Sequence, residues 1–297
     1  MTDRREFLRY TGTAALTALA PKISMAGQRK LSTRRIPGTD ERLSVVGLGQ
    51  SQAFRDNDVE TSKSLLNTFF EHGGGYIDCR GDSTYHVASV SKTLGGNDAA
   101  FLGSYFSGGN STESEASAQR LRAMRSAKSV DLMHTVPEDG VPNWDVFRRW
   151  KDEGLTRFIG LARHNASYYD AMMKVMSTGT MDFVQVNLSP LEIEAEDRIL
   201  PMAMDKGVAV TINRPFLNGR YFVIVKDHPL PAWAVEFDCT SWAQFSIKYI
   251  LSHPAVNCVL TETANPKHLL DNLGGGIGRL PDAETRKRMR QVILDLA

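Results

Sequence analysis

The sequence is short of the features that mark several classes of protein. Its 297 residues include three cysteines, Cys79, Cys239 and Cys258, which are too few and too widely spaced for a disulfide framework or a zinc motif. No apolar run reaches the roughly 18 residues typical of a transmembrane helix. Lys and Arg (35) balance Asp and Glu (34), and no basic stripe with interleaved aromatic residues is present. We therefore expect no nucleic-acid partner.

The first 26 residues look like a targeting segment. Thr2–Leu8 contains paired arginines followed by Glu-Phe-Leu, and Tyr10–Ala20 is a short, weakly apolar stretch. Small residues at Ser24–Ala26 then offer a cleavage site. This pattern predicts a twin-arginine signal peptide over residues 1–26, export to the periplasm, and a mature domain over residues 27–297. Two alternatives stay open: a disordered basic amino terminus, and a leader that is retained and associates the protein with a membrane.

Downstream of Leu43, apolar β-branched stretches alternate with amphipathic helical patterns. The predicted strands are Ser44–Gly47, Tyr76–Asp78, Ala100–Tyr105, Val130–Met133, Thr156–Leu161, Phe183–Asn187, Ala209–Asn213 and Asn257–Leu260. The predicted helices include Glu60–His72, Glu113–Ala127, Trp144–Glu153, Ser167–Met176, Glu192–Lys206, Ser241–Ser252 and a last outer helix over Asp282–Leu296. Eight such alternations predict a single-domain α/β protein, a closed (β/α)8 TIM barrel.

A doubly wound open sheet is the competing architecture. It usually binds a dinucleotide through G-x-G-x-x-G between the first strand and its helix. Here Gly47 and Gly49 end a strand without that continuation, and the glycines of Gly274–Gly278 fall in a late loop. Each is expected to be a turn, which favours the barrel.

Five sequence segments stand out: Arg35–Thr39 with Leu43–Gly49, Lys151–Gly160, Asp182–Asn187, Asn213–Phe216, and Asn265–His268 followed by Asn272. In content and in order along the chain, these segments resemble aldo/keto reductases. The similarity runs from Arg34 to the last helix. It implies an amino-terminal hairpin that closes the barrel floor, a carboxyl-terminal extra helix, and carbonyl reduction with NADPH. In that family a tyrosine protonates the alkoxide, a lysine held by an aspartate lowers the tyrosine pKa, and a histidine orients the carbonyl.

The catalytic positions implied by the resemblance are only partly kept. Asp78 matches the aspartate, but Ser83 stands where the tyrosine is expected. Tyr85 lies two residues further on, in what we predict to be a longer loop, and it either swings into the site or is an ordinary loop aromatic.

The lysine and the histidine are changed as well. Tyr105 occupies the lysine position. Val136 occupies the histidine position, while His134 precedes it by two residues and faces inward one layer deeper, either as a site residue or as a buried structural histidine. The candidate catalytic set is therefore Asp78, Tyr85, Tyr105 and His134.

The candidate cofactor-binding residues also match the family pattern only in part. Gln185 matches the family's carboxamide ligand, but Ala162 and Arg163 replace the expected hydroxyl or amide pair, and Glu262 faces a diphosphate with the wrong charge. Lys267 is the one clear cation for a 2′-phosphate, so the cofactor, if any, is predicted to be NADP. The predicted cofactor-binding residues are Arg163, Gln185, Asn213, Arg214, Thr263, Lys267 and Asn272.

Two functional hypotheses follow. The first is an NAD(P)H-linked oxidoreductase acting on a small carbonyl or sugar-like substrate, in which Arg80, Arg163 or Arg214 resupplies the missing cation. The second is a catalytically inactive barrel that serves as a binding protein or as a subunit of a membrane-associated complex. A third, a sugar isomerase-like metal barrel, is disfavoured, because the candidate ligands His86, His134, His164, Asp78 and Asp82 lack convincing ligand spacing. No metal site is predicted.

Overall fold

A computed structural model describes residues 30–95 and 100–297. The predicted signal peptide at residues 1–26 lies outside the described residues.

Two short antiparallel strands, β1 (Thr33–Arg35) and β2 (Arg42–Ser44), precede eight parallel strands that close into a barrel. The barrel strands are β3 (Val46–Leu48), β4 (Tyr76–Cys79), β5 (Phe101–Tyr105), β6 (Val130–Thr135), β7 (Thr156–Ala162), β8 (Phe183–Asn187), β9 (Ala209–Asn213) and β10 (Val256–Thr261). They pair in chain order, and β10 returns to pair with β3. The predicted barrel is confirmed.

Helices surround the barrel and connect its strands. They are α1 (Gln52–Arg55), α2 (Val59–Glu71), α3 (Asp82–Thr93), α4 (Ser111–Arg125), α5 (Pro137–Gly140), α6 (Trp144–Asp152), α7 (Tyr169–Met176), α8 (Glu194–Asp197), α9 (Ile199–Lys206), α10 (Arg220–Val225), α11 (Trp242–Leu251), α12 (Pro266–Gly274) and α13 (Ala283–Leu296). Short 3₁₀ turns cover Ala166–Tyr168, Leu217–Gly219 and Ala232–Phe237. None of the helices in these ranges is long and apolar enough to cross a membrane.

The hairpin closes the amino-terminal end of the barrel, as the resemblance implies. Asn257 Nδ2 at the start of β10 donates to the carbonyl of Arg35 at 2.9 Å. Ile36 and Leu43 of the hairpin are buried against an aromatic layer inside the barrel. That layer consists of Tyr76, Phe101, Phe158 and Phe183, whose neighbouring rings have centroids 5.4 to 5.8 Å apart. The floor is therefore a packed core without an opening.

Three sequence-based boundaries are wrong. The predicted strand at residues 44–47 combines the end of β2 with the start of β3, because Val45 separates the hairpin from the barrel. The predicted helix at residues 192–206 is interrupted at Arg198, whose φ of −132° and ψ of −66° are not helical. The loop predicted to carry Tyr85 is the helix α3, which begins directly at Asp82. Gly81 makes this sharp turn with a φ of +57°, a conformation that glycine adopts at little cost.

Candidate active site

The carboxyl ends of the barrel strands surround a cavity of about 640 Å³. This is the end of a (β/α)8 barrel at which ligand sites form, because the loops after the strands converge there. Polar residues from four strands reach the cavity: Asp78 from β4, Tyr105 from β5, Gln185 from β8 and Asn213 from β9. Arg80, Arg163, Arg214 and Glu262 extend the wall outward. We call this cavity the mouth.

Asp78 is the centre of a hydrogen-bonded network beneath the mouth. Only 5% of its surface is exposed. Its Oδ1 accepts from His134 Nε2 at 2.8 Å, and its Oδ2 accepts from Gln185 Nε2 at 2.7 Å. Gly103 on the neighbouring strand leaves room for the carboxylate, since a Cβ at that position would stand 2.7 Å from Oδ1. Both carboxylate oxygens are thus held by side chains of the barrel interior.

Tyr105 stands in place of the lysine that the resemblance implies, and it joins the network. Its hydroxyl donates to Gln185 Oε1 at 3.2 Å, and Asn213 Nδ2 donates to the same oxygen at 3.2 Å. Its ring lies 4.1 Å from the His134 ring and 4.8 Å from the Arg80 guanidinium carbon.

This environment makes Tyr105 a weak acid. Burial raises the pKa of Tyr105 far above its usual value of about 10, and the negative charge of Asp78 raises it further, while Arg80 opposes the shift only in part. Ionisation of Tyr105 is therefore strongly disfavoured.

His134 lies deeper than the mouth. It is 1% exposed and does not line the cavity. Its strand position pairs with Tyr105 across the β5–β6 register, and the two ring centroids lie 4.1 Å apart. The structure therefore makes His134 a partner of Asp78, outside the lining of the mouth.

Three arginines and a histidine make much of the rim of the mouth basic. Arg163 follows β7, Arg214 follows β9 and Arg80 follows β4. His164 lies beside them, and its pKa is lowered by burial and then by the positive charges of Arg214, Arg163 and Arg80. All three guanidinium groups belong to residues that line the same cavity as His164.

Glu262 lies on the rim of the mouth after β10, the strand next to β9, which precedes Arg214. Its carboxylate faces Gly49, where a Cβ would stand 2.8 Å from Glu262 Cγ. Burial raises the pKa of Glu262, and Arg55 and Arg80 partly offset this effect. Its side chain lines the cavity.

Four of the predicted site residues are not brought into this cluster. Tyr85 lies on α3, where its hydroxyl donates to the Ser117 carbonyl at 3.2 Å and Arg120 covers its ring at 4.2 Å. It is held there because α3 packs against α4. Thr263, Lys267 and Asn272 lie before or on α12, and none of them lines the mouth. Lys267 is exposed and Asn272 is buried.

The model of the aldo/keto reductase family matches residues 108–291, which is more than half of the chain. This chain belongs to the aldo/keto reductase family. No curated protein matches it closely enough to count as a relative.

Solved structures share the fold at low identity. The holo form of aldo-keto reductase AKR11C1 from Bacillus halodurans has a TM-score of 0.70 and 17% identity over 90% of this chain and 96% of its own. An aldo-keto reductase from Klebsiella pneumoniae in complex with NADPH has a TM-score of 0.68 and 15% identity over 89% and 95%. The enzyme MGS-M4, from a Medee basin deep-sea metagenome library, has a TM-score of 0.68 and 14% identity over 88% and 94%.

The family implies a nicotinamide cofactor, and the described residues do not fit the nicotinamide end of it. Gln185, the expected carboxamide ligand, already uses its amide nitrogen on Asp78 and its oxygen on Tyr105 and Asn213. Ala162 offers no side-chain hydrogen bond. Arg163 is paired with Glu138 at 2.5 Å. A carboxamide would therefore have to displace existing bonds.

The described residues also offer no metal site. Within residues 30–95 and 100–297, no three His, Cys, Asp or Glu side chains are grouped so that they could hold a metal ion. The three cysteines are buried and unpaired with one another.

Sequence reasoning missed some of the residues that line the mouth of this aldo/keto reductase-type barrel. Gln50 donates to Ser83 Oγ at 2.9 Å, which closes the space beside the missing tyrosine. Gln50 directly follows a glycine at the end of a strand, and residues at such positions commonly line the site of a barrel, so the sequence did contain a signal for Gln50. Phe222 lies on α10 and reaches the mouth only because the chain turns sharply after β9. No local pattern in the sequence indicates that turn.

Proposed function

We propose that this chain is a ligand-binding member of the aldo/keto reductase family. It holds a small carbonyl or sugar-like molecule in the mouth of the barrel and has lost the family's tyrosine–lysine route of hydride reduction. The observation that carries the proposal is the Tyr105 hydroxyl, which occupies the lysine position and is tied to Gln185 at 3.2 Å.

The loss matters because the reaction needs a proton donor whose pKa suits neutral pH. A positioned general acid contributes about 10²- to 10⁴-fold in rate, and it works best when its pKa lies near the working pH. The pKa of Tyr105 is shifted upward by burial and Asp78. Among the described residues, no lysine lines the mouth to lower this pKa. Tyr85 is bonded elsewhere.

The mouth retains what binding requires. Its volume of about 640 Å³ suits a small organic molecule. Phe216 and Phe222, with ring centroids 4.8 Å apart, provide an apolar wall, and the arginines and Glu262 provide polar contacts. Apolar walls with a few oriented polar groups are typical of small-molecule sites.

The same proposal includes the cellular location of the protein. The paired arginines of Thr2–Leu8 support export to the periplasm by the twin-arginine route, with cleavage after residue 26. Association with a protein complex at the membrane is consistent with this route and with a barrel used for binding.

An NAD(P)H-linked oxidoreductase is the second candidate. Family membership favours it, as does the relative from Klebsiella pneumoniae, whose structure contains NADPH. Lys267 is also exposed on α12, where a cation is available for a 2′-phosphate. NADP is the cofactor that this candidate would use.

Two measurements on the purified protein separate the candidates. NADPH is titrated while nucleotide fluorescence is followed, and NADPH consumption is then measured with a panel of small aldehydes, ketones and aldoses. We expect no turnover above the uncatalysed rate. Turnover that Tyr105→Phe abolishes and the control Tyr85→Phe leaves intact would establish the oxidoreductase, because only Tyr105 reaches the mouth.

A further inference from the structure

The arginines of the mouth carry more positive charge than neighbouring carboxylates neutralise. Arg214 contacts Asn218 Oδ1 at 3.2 Å, and Arg80 covers the Tyr105 ring. No carboxylate lies within ion-pair distance of either guanidinium in the described part of the chain. Only Arg163 has an acidic partner, Glu138. Surface arginines without a carboxylate are common, but these two line a cavity.

The backbone holds Arg214 in place at some cost. Its φ is +52°, and Leu217 and Asn218 also have positive φ values of 52° and 55°. Three residues other than glycine in the left-handed region within one turn are unusual, and such strain concentrates at functional sites. The turn places Arg214 at the cavity wall, which Arg163 and His164 also line.

Two enclosed polar atoms beside the mouth have no partner. They are Arg163 Nε, a donor, and Asn213 Oδ1, an acceptor. An unpaired buried polar atom costs about 1–3 kcal/mol. Both residues line the mouth, so a ligand with acceptor and donor groups is the partner that would satisfy the two atoms.

The mouth also contains acceptors and an apolar surface. Glu262 and Gln50 line it with oxygen acceptors, and Phe216 and Phe222 add an apolar surface. Carboxylate and amide oxygens accept hydrogen bonds from hydroxyl groups. The mouth therefore combines cationic donors, apolar rings and groups that accept hydrogen bonds from hydroxyls.

We infer that the mouth recognises a small hydroxy acid of the sugar-acid type. Its carboxylate lies between Arg163 and Arg214, and its hydroxyl groups face Glu262 and Asn213. The inference rests on the proposed binding function and specifies its ligand. A dinucleotide diphosphate has the same kind of charge, but it would bring a second charge and its sugars against the Glu262 carboxylate at the same opening.

Calorimetry with matched pairs tests the inference. The full-length protein is titrated with D-gluconate and D-glucose, with D-galacturonate and D-galactose, and with ADP-ribose as the diphosphate. We expect at least one acid to bind about 10- to 100-fold more tightly than its neutral partner, which corresponds to one charged hydrogen-bond pair. We expect ADP-ribose to bind more weakly than that acid.

Variants then assign the carboxylate. Arg214→Gln is expected to reduce affinity for the acid about 10- to 100-fold and to leave affinity for the neutral sugar unchanged. Arg214→Lys keeps the charge but loses the paired donors, so it is expected to be intermediate. Arg148→Gln on α6, an exposed arginine away from the mouth, is the matched control and is expected to have no effect.

The outcomes separate this inference from the function on which it rests. Neutral sugars that bind as tightly as their acids would overturn the carboxylate assignment and leave the binding function intact. Tighter binding of ADP-ribose, weakened by Arg214→Gln, would overturn the assignment in favour of a dinucleotide. Carbonyl turnover that depends on Tyr105 would overturn the binding-only function, whatever the sugar acids do.

Discussion

Two buried aspartates, one at each end of the barrel, are held in opposite ways. Asp131 at the floor is 7% exposed and is bound by Arg125 Nη1 at 2.5 Å and Arg157 Nη1 at 2.8 Å. Its Oδ2 also accepts from the Leu102 amide at 2.9 Å. Asp78 beneath the mouth is 5% exposed and is bound by an imidazole and an amide.

The difference separates a carboxylate held by cations from one held by an imidazole and an amide. At the floor, two guanidinium groups compensate a buried carboxylate, as a structural ion pair requires. At the mouth, Tyr105 stands beside Asp78, and the arginines of the cavity, Arg80, Arg163 and Arg214, follow the strand ends. The floor thus serves stability, whereas the mouth has charge available for a ligand.

Removing the floor carboxylate is expected to cause the largest loss of stability. Asp131→Ala leaves two buried or half-buried guanidinium groups without their shared partner. Breaking a buried pair in this way costs about 3–5 kcal/mol. Urea unfolding followed by circular dichroism measures the loss. The control is Asp145→Ala, which removes the exposed pair with Arg148 and is expected to cost less than about 1 kcal/mol. Equal losses for the two variants would contradict the structural role of Asp131.

Removing the mouth carboxylate is expected to cost less. Asp78→Ala leaves the donors of His134 and Gln185 unpaired, and each buried unsatisfied group costs about 1–3 kcal/mol. Water from the mouth limits the loss at Gln185, so we expect a total below that of Asp131→Ala. The same urea titration checks the order. A larger loss for Asp78→Ala would show that the mouth network, not the floor, stabilises the barrel.

A smaller loss is expected when the phenol alone is removed. Tyr105→Phe deletes the bond to Gln185 Oε1, while Asn213 continues to donate to that oxygen. A neutral hydrogen bond contributes about 0.5–1.5 kcal/mol, and we expect a value near the lower end. Thermal unfolding of Tyr105→Phe against Tyr85→Phe measures it. Destabilisation comparable to that of Asp78→Ala would indicate that Tyr105 organises the whole network.

The smallest expected effect is on the pH dependence of stability, and it arises from Asp139 on α5. Burial would raise the pKa of Asp139, but the Gly109 and Gly108 amides and the Thr135 and Ser107 hydroxyls lower it overall. A lowered pKa in the folded state stabilises the protein above the unfolded value, near 3.9, and this contribution is lost as pH falls through the folded value.

Asp139→Asn tests this assignment. We expect the stability of the variant to fall less than that of the wild type between pH 5 and pH 3, as measured by urea unfolding at fixed ionic strength. Parallel losses for the two proteins would contradict the role of Asp139.

The fold was largely predictable because parallel barrel strands are buried on both faces. Such strands are continuous apolar runs, and Phe183–Asn187 and Ala209–Asn213 were predicted with their exact ends. The split between β2 and β3 was not predictable, since one apolar stretch serves both the hairpin and the barrel. The helix carrying Tyr85 was missed because its start depends on the backbone of Gly81.

The sequence by itself determined the residue types at the positions where the resemblance leads us to expect the family's tyrosine, lysine and histidine: Ser83, Tyr105 and Val136. Only the tertiary structure decided what the remaining groups do. Asp78 is 56 residues from His134 and 107 from Gln185, and these bonds exist because barrel closure brings β4, β6 and β8 to one axis. The convergence of Arg80, Arg163 and Arg214 likewise depends on three loops meeting at one end of the barrel. Local periodicity encodes strands and helices, whereas partners across a barrel follow from its closure and stagger.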